Sequence, residues 1–395
     1  MAYEYGKNLT TFCVSLSLVV LIVEALLRLG PSYPALLQYD PFLGVRFLPG
    51  AQGEFTKEGY SYVKINGQGF RNPEFGQKKA PGEVRIGILG DSFVAALQVD
   101  ESKNFSRLLE QELSLCRPSV RVVNLGVPGY GTVQEYLLSQ MVRGLEFDHL
   151  VLAFYPGNDL INNSPLLSGE EIRPHFDPEK GEFDYSFRSR EDFRVFSSRL
   201  YRRLARIARY SYIARHTLRA IYRVISAEES PPHEDTGASC AQETGVQRTL
   251  IRENRAGTYQ EPRTEEWRQA WQVTETLLYR LHTESRENGV QFALLSLSAP
   301  VQVFPHQGLR SCLARNLNEP DLHYPNRRLA EFSRRSGIPF LDVLPGMERA
   351  LEQNSSLYFH GFGERLGTGH YNEEGHLQVA RELSLFLRPA ICGDR

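Results

Sequence analysis

Residues 83–97 read Glu83-Val-Arg-Ile-Gly-Ile-Leu-Gly-Asp-Ser-Phe-Val-Ala-Ala-Leu97. Val84, Ile86, Ile88 and Leu89 make the short apolar run of a strand buried on both faces, and Gly90 breaks it. From there to Cys116 the composition favours helix. A serine placed where a buried strand turns into a helix has an exposed hydroxyl and unpaired helix N-terminal amides beside it, which suits a nucleophile. The competing reading is that Ser92 only caps a helix, since Asp-Ser commonly precedes one.

The same alternation continues downstream. A helix is expected over about 104–115, with Phe105, Leu108, Leu109 and Leu113 on one face and Pro118 beyond its end. Val120–Val123 is a second strand, closing on Asn124-Leu125-Gly126, and a helix follows over about 132–145. Leu150–Tyr155 is a third strand, running into Pro156-Gly157-Asn158-Asp159. After an interruption at about 162–262, a helix is expected over 265–288 and a strand over 290–297. A helix over 326–336, a strand over 338–343 and a last helix to about Leu387 follow. Strand and helix in alternation predict an α/β fold, a wound parallel sheet with helices on both faces. Functional groups in such sheets gather at the carboxyl ends of the strands. Three strands here end in Gly-Asp-Ser, Asn-Leu-Gly and Gly-Asn-Asp. Each tripeptide alone is ordinary turn composition, so the signal lies in their convergence.

The flanking sequence divides the 395 residues into an anchor (1–29), a β-rich lead-in (30–82) and the wound domain (83–390) with its insertion. No charged residue occurs from Leu9 to Val23, and Leu26, Leu27 and Leu29 extend the apolar run around Arg28. About 19 helical residues at ~1.5 Å each just cross a hydrocarbon core of ~30 Å. A cleaved signal peptide is the rival reading, but no small-residue cleavage motif follows the run. The short leading tail favours a cytoplasmic N-terminus and an exported body, periplasmic or extracellular. In the lead-in, Tyr60–Ile65 alternates and Asn66-Gly67 signals a turn. It either packs against the wound domain or lines a substrate cleft. Lys+Arg 45 against Asp+Glu 47 gives no global field that would favour nucleic acid.

Residues 188–226 are strongly basic, with arginines from Arg199 to Arg223 interleaved with Leu200, Leu204, Ile207, Ile213, Leu218 and Ile221. One or two amphipathic helices are expected, either lying on an anionic membrane or acidic polymer, or showing a solvated outer face. Glu228–Gly257 is polar and reads as a mobile loop. Cys116, Cys240, Cys312 and Cys392 could pair in three ways or remain free thiols, and Cys13 sits in the apolar run. No metal-ligand spacing, phosphate loop or repeat is present, so no cofactor or metal is expected.

Gly90-Asp91-Ser92, Asn124-Leu125-Gly126, Gly157-Asn158-Asp159 and His370-Tyr-Asn-Glu-Glu-Gly-His376 resemble, in order, the four blocks of the SGNH (GDSL-type) hydrolases. The likeness runs from Val84 to the C-terminus apart from the insertion, and the anchor with its lead-in resembles membrane-anchored bacterial members. It implies a flavodoxin-like architecture and a serine esterase. Ser92 would be the nucleophile, His370 the general base and acid, and the Ser92 N–H, Gly126 N–H and Asn158 amide an oxyanion hole. Asp91 and Asp159 would bond loop amides. By position, His376 reads as packing at the start of the last helix, and His360 either lines the cleft or is a structural loop histidine. The substrate would be an ester-bearing lipid or an acylated glycan. Acyl transfer to a glycan hydroxyl and a non-catalytic glycan- or lipid-binding role are the alternatives.

One block departs from the family. Gly367 occupies the position where an aspartate usually orients the histidine. Either another carboxylate substitutes, or His370 works in a dyad oriented by a backbone carbonyl, or hydrolysis is lost. Glu364 is the nearest upstream carboxylate, and Asp342 ends the last strand.

Overall fold

The computed structural model describes residues 2–28, 36–169, 172–207, 211–226, 256–304 and 321–393. Helix α1 (Ala2–Leu27) contains the segment Thr10–Leu27, none of it buried, which by length and composition could cross a membrane. Two antiparallel pairs follow, β1 (Leu37–Asp40) with β2 (Gly44–Phe47) and β3 (Gln52–Phe55) with β4 (Ser61–Lys64). The winding then begins with β5 (Val84–Gly90), a single turn α2 (Ser92–Ala95), α3 (Phe105–Ser114), β6 (Val120–Asn124), α4 (Thr132–Met141) and β7 (His149–Phe154).

The one-turn helix α5 (Asp159–Asn162) follows, and the described part of the insertion begins with the one-turn helix α6 (Pro165–Ser168) and the hairpin β8 (His175–Asp177) with β9 (Glu182–Asp184). It continues as α7 (Glu191–Phe196), α8 (Arg199–Ile207) and α9 (Tyr212–Ser226). The polar stretch expected as a loop lies outside the described residues up to 255, as do Cys240 and Cys312. The winding resumes as α10 (Glu265–Glu287), β10 (Gln291–Ser296), α11 (Tyr324–Ser336), β11 (Phe340–Asp342), α12 (Leu344–Gln353) and α13 (Glu373–Cys392).

Strands β11, β10, β7, β5 and β6 lie side by side in that order, all parallel. Numbered along the chain this is 2-1-3-4-5, the flavodoxin-like doubly wound order. Both faces are covered. Leu89, Leu152 and Phe154 meet Trp271, Leu277 and Leu278 of α10 and Leu329 and Phe332 of α11 on one side. Ile86, Ile88 and Val151 meet Phe105 and Leu109 of α3 and Val379 and Leu383 of α13 on the other. Each such side chain contributes roughly 1.5–3 kcal/mol on burial. Strand β5 is buried from Arg85 onward because it is flanked by β6 and β7 at the switch in winding direction. A disulfide between Cys116 and Cys392, Cα atoms 5.7 Å apart, joins the end of α3 to the end of α13.

Two local details differ from the sequence reading. The helix after Gly90 is one turn long and stops at Ala96, which adopts a left-handed conformation (φ 52°). The fully buried Arg71 guanidinium takes the carbonyls released there, donating to Ala95, Ala96 and Val99. Helix α12 occupies a stretch to which the sequence reading assigned no element, and its Pro345 sits in the first turn, where proline is compatible with helix.

Candidate active site

Ser92 is the first residue of α2, two beyond the end of β5. Asp91 is the N-cap of α2, its Oδ1 accepting from the Phe93 N–H at 2.8 Å. That bond fixes the turn and leaves the Ser92 hydroxyl facing the loop that carries His370. Ser92 Oγ lies 2.8 Å from His370 Nε2, while its approach to Asp91 Oδ2 is longer, at 3.4 Å. The sequence places these two residues 278 positions apart.

His370 is held from its other side by a residue the sequence reading did not single out. Glu58 sits in the turn between β3 and β4 and reaches His370 Nδ1 with both oxygens, at 2.8 and 2.9 Å. Its Oε2 also accepts the His370 backbone N–H at 3.1 Å. A carboxylate on Nδ1 selects the tautomer with its proton on Nδ1 and its lone pair on Nε2, facing the serine. Burial pushes the Glu58 carboxyl up, but the hydrogen bonds and positive charge of His370 together outweigh it and hold the group below the usual glutamate value.

The carboxylate beside His370 is therefore not Glu364, which lies exposed on a short 3₁₀ turn. Nor is it Asp342, whose Oδ1 is taken by Asn326 Nδ2 at 2.8 Å and by the Leu344 N–H at 3.0 Å. Gly367 has no room for a side chain. Its φ is +88°, and a Cβ there would stand 2.1 Å from the Phe304 ring. No motif in the lead-in points to Glu58, and the missing aspartate at 367 was the sole indirect sign.

The lead-in grips the site at further points. Ser61 Oγ donates to the Leu97 carbonyl at 2.6 Å. Asn72 pairs reciprocally with the backbone of Asn124, donating to its carbonyl at 2.8 Å and accepting its N–H at 2.9 Å. Together with Arg71 these contacts brace the ends of α2 and β6.

Of the expected oxyanion donors, Gly126 lies against the Ser92 turn. A Cβ there would fall 2.4 Å from the Ala95 nitrogen. Its N–H is donated to Asn124 Oδ1 at 3.0 Å, so a substrate oxygen would have to share or displace that bond. Asn158 Nδ2 donates to Asp91 Oδ2 at 3.0 Å, leaving its second N–H available. Asp91 and Asp159 serve the loops. Asp159 Oδ2 accepts from the Tyr155 N–H at 2.7 Å, and burial pushes both carboxyls up. His360 and His376 are buried, and burial pushes each down to about 3, so both are neutral. His360 Nδ1 donates to the Gly369 carbonyl at 3.0 Å beneath the His370 loop, and His376 stacks on Phe105. Among the described residues no cluster of three or more His, Cys, Asp or Glu side chains is placed to hold a metal.

No protein-family profile matches the sequence, and none of the curated proteins matches it. Solved structures do align with it at low identity. An alpha/beta hydrolase enzyme from the metagenome of Lake Arreo, Spain, is 15% identical with a TM-score of 0.36, covering 79% of this chain and 97% of that one. A member of the lipolytic protein G-D-S-L family from Veillonella parvula is 12% identical with a TM-score of 0.36, covering 77% and 99%. An acetylxylan esterase from Geobacillus stearothermophilus is 12% identical with a TM-score of 0.37, covering 80% and 96%.

Proposed function

We propose that this chain is a membrane-anchored serine esterase that cleaves carboxylic esters through an acyl-enzyme on Ser92. The observation that carries the reading is the line Ser92 Oγ, His370 Nε2, His370 Nδ1, Glu58 carboxylate, each contact at hydrogen-bond distance. Such a line does one kind of chemistry well. His370 Nε2 takes the Ser92 proton as Oγ attacks the ester carbonyl, and Glu58 stabilises the imidazolium that forms. The tetrahedral intermediate collapses when His370 returns that proton to the departing alkoxide, releasing the alcohol. Water, deprotonated by the same nitrogen, then attacks the acyl-enzyme and frees the acid and the serine.

The Ser92 N–H, the Gly126 N–H and the second Asn158 N–H are the donors for the developing oxyanion, each commonly worth about 3 kcal/mol when removed. The substrate class is an acyl lipid or an O-acetylated glycan. A body on the outer side of the membrane is supported by the apolar span Thr10–Leu27 and by the Cys116–Cys392 disulfide, a bond that persists in oxidising compartments.

A fluorophosphonate probe should label the full-length protein in membranes on Ser92, and Ser92→Ala and His370→Ala should both abolish labelling. Hydrolysis of p-nitrophenyl acetate at the wild-type rate in His370→Ala would overturn the mechanism.

A further inference from the structure

Between Phe193 and Ser226 the chain carries nine arginines and no aspartate or glutamate, leaving −11 for the remainder of a chain whose net charge is −2. This segment contains α8 and α9, and the structure places the start of α9 against the C-terminal end of α1. Glu24 caps α9, its carboxylate accepting from the Tyr212 N–H at 2.7 Å, the Ile213 N–H at 3.0 Å and Ser211 Oγ at 3.0 Å. The Arg28 guanidinium lies over the Tyr212 ring, 5.3 Å from its centroid. Helix α8 is fixed at its other end through α7, since Tyr201 packs edge-on against Phe196, whose ring stacks on Tyr39 of β1.

Of α8, these contacts use Tyr201. Leu200, Leu204 and Ile207, spaced i, i+4, i+7, form an apolar stripe, with relative exposures of 69%, 37% and 54%. Arg199 and Arg203 flank the stripe by helical spacing, and both are exposed. A stripe of this kind next to the exit of an apolar span has one fitting partner, the bilayer that holds the span. We propose that α8 lies in the headgroup layer of an anionic phospholipid membrane, Leu200, Leu204 and Ile207 toward the acyl chains and Arg199 and Arg203 on the lipid phosphates. The inference rests on the reading of α1 as a membrane anchor. It fixes the body to the bilayer at a second point, through the same lead-in that supplies Glu58.

The test is hydrogen exchange of the full-length protein in nanodiscs of phosphatidylcholine alone and of phosphatidylcholine with phosphatidylglycerol. Amides of residues 10–27 should be protected in both. Those of residues 199–207 should exchange roughly tenfold more slowly in the anionic discs, with the difference removed by high salt. The triple variant Leu200→Ser, Leu204→Ser, Ile207→Ser should lose that difference while Ser92 labelling by fluorophosphonate is unchanged. Equal exchange of 199–207 in the two lipids, or a lipid effect that survives the triple variant, would overturn the proposal with the anchor intact. Free exchange of 10–27 in both discs would remove the anchor reading itself. Equal protection of α8 by soluble polygalacturonate in neutral discs would assign the arginines to an acidic polymer and overturn the membrane assignment.

Discussion

The Glu58 carboxylate and the His370 imidazole meet through two oxygens on Nδ1, at 2.8 and 2.9 Å, across 312 residues of sequence. A third contact, from the His370 backbone N–H to Glu58 Oε2, ties the ring and its peptide to one side chain. The lead-in is thereby part of the site and not only a spacer between anchor and body. Glu58→Gln keeps the shape but offers Nδ1 an amide in place of a carboxylate, removing the charge that stabilises the imidazolium. Its kcat on p-nitrophenyl acetate should fall by about 10²- to 10⁴-fold with KM little changed. Glu364→Gln should leave both constants at the wild-type values. A steady-state comparison of the two variants decides between the carboxylates.

Restoring an aspartate at 367 should not rescue that loss. The backbone there is left-handed at φ +88°, and any Cβ would meet the Phe304 ring. Glu58→Gln with Gly367→Asp should remain as slow as Glu58→Gln alone, and the added substitution should lower the unfolding midpoint. Recovery of more than about tenfold in kcat, or 1.4 kcal/mol in the barrier, would mean that the loop can rearrange to accept an acid at 367.

How far the sequence could be read follows from where its information is local. The five sheet strands and most helices could be placed because their apolar periodicity is written in consecutive residues, as in Val84–Leu89 or Phe105–Leu113. Ser92 and His370 could be paired because each sits in a short block whose order along the chain matches a known pattern. Glu58 carries no such mark. Thr56-Lys57-Glu58-Gly59 has the composition of any solvated hairpin turn, and its role exists only once β3 and β4 dock beside Gln98 and Phe362. The Asn124 side chain is similar. Its bonds to the Gly126 N–H and to the Val94 carbonyl, the latter at 2.5 Å, are local in space but invisible to periodicity.

The Glu58–His370 pair also sets a pH signature in stability. The folded-state pKa of Glu58 is held below its ordinary 4.5. The pair's contribution is therefore fully present above about 4.5, where the unfolded chain is also ionised, and is lost as pH falls through the lower folded value. The difference in unfolding midpoint between wild type and Glu58→Gln should shrink as pH falls below about 4.5. A difference that grows below pH 4.5 would contradict the depressed pKa.

Arg71 should prove a structural keystone without touching the reacting atoms. Its guanidinium is buried and donates to the carbonyls of Ala95, Ala96 and Val99, just after the nucleophile turn. Arg71→Met preserves most of the volume but strands those acceptors away from water. An unsatisfied buried group costs roughly 1–3 kcal/mol, and partial relaxation of the loop suggests about 3 kcal/mol in all. Chemical denaturation should register that loss, and labelling of Ser92 should slow because the Ala96 carbonyl loses the guanidinium that helps hold its left-handed turn. Wild-type stability in Arg71→Met would show that the loop re-satisfies its carbonyls unaided.

The disulfide offers the opposite dissociation, stability without chemistry. Cys116 ends the α3 region and Cys392 ends α13, two helices that pack together on one face of the sheet. The bond closes a loop of 276 residues, holding the terminal helix to the body in the unfolded chain as well as the folded one. Yet Cys392 is at the far end of α13 from His370, about 28 Å along a helix that begins at Glu373. Cys116→Ser with Cys392→Ser should therefore lose about 2–4 kcal/mol of stability. Its rate of fluorophosphonate labelling at 25 °C should match the wild type, because the packing of Phe105 and Leu109 against Val379 and Leu383 already fixes the start of α13. Reductant should reproduce both results in the wild-type protein. A labelling rate that falls in step with stability would show that the bond positions His370 and not merely the tail of the helix.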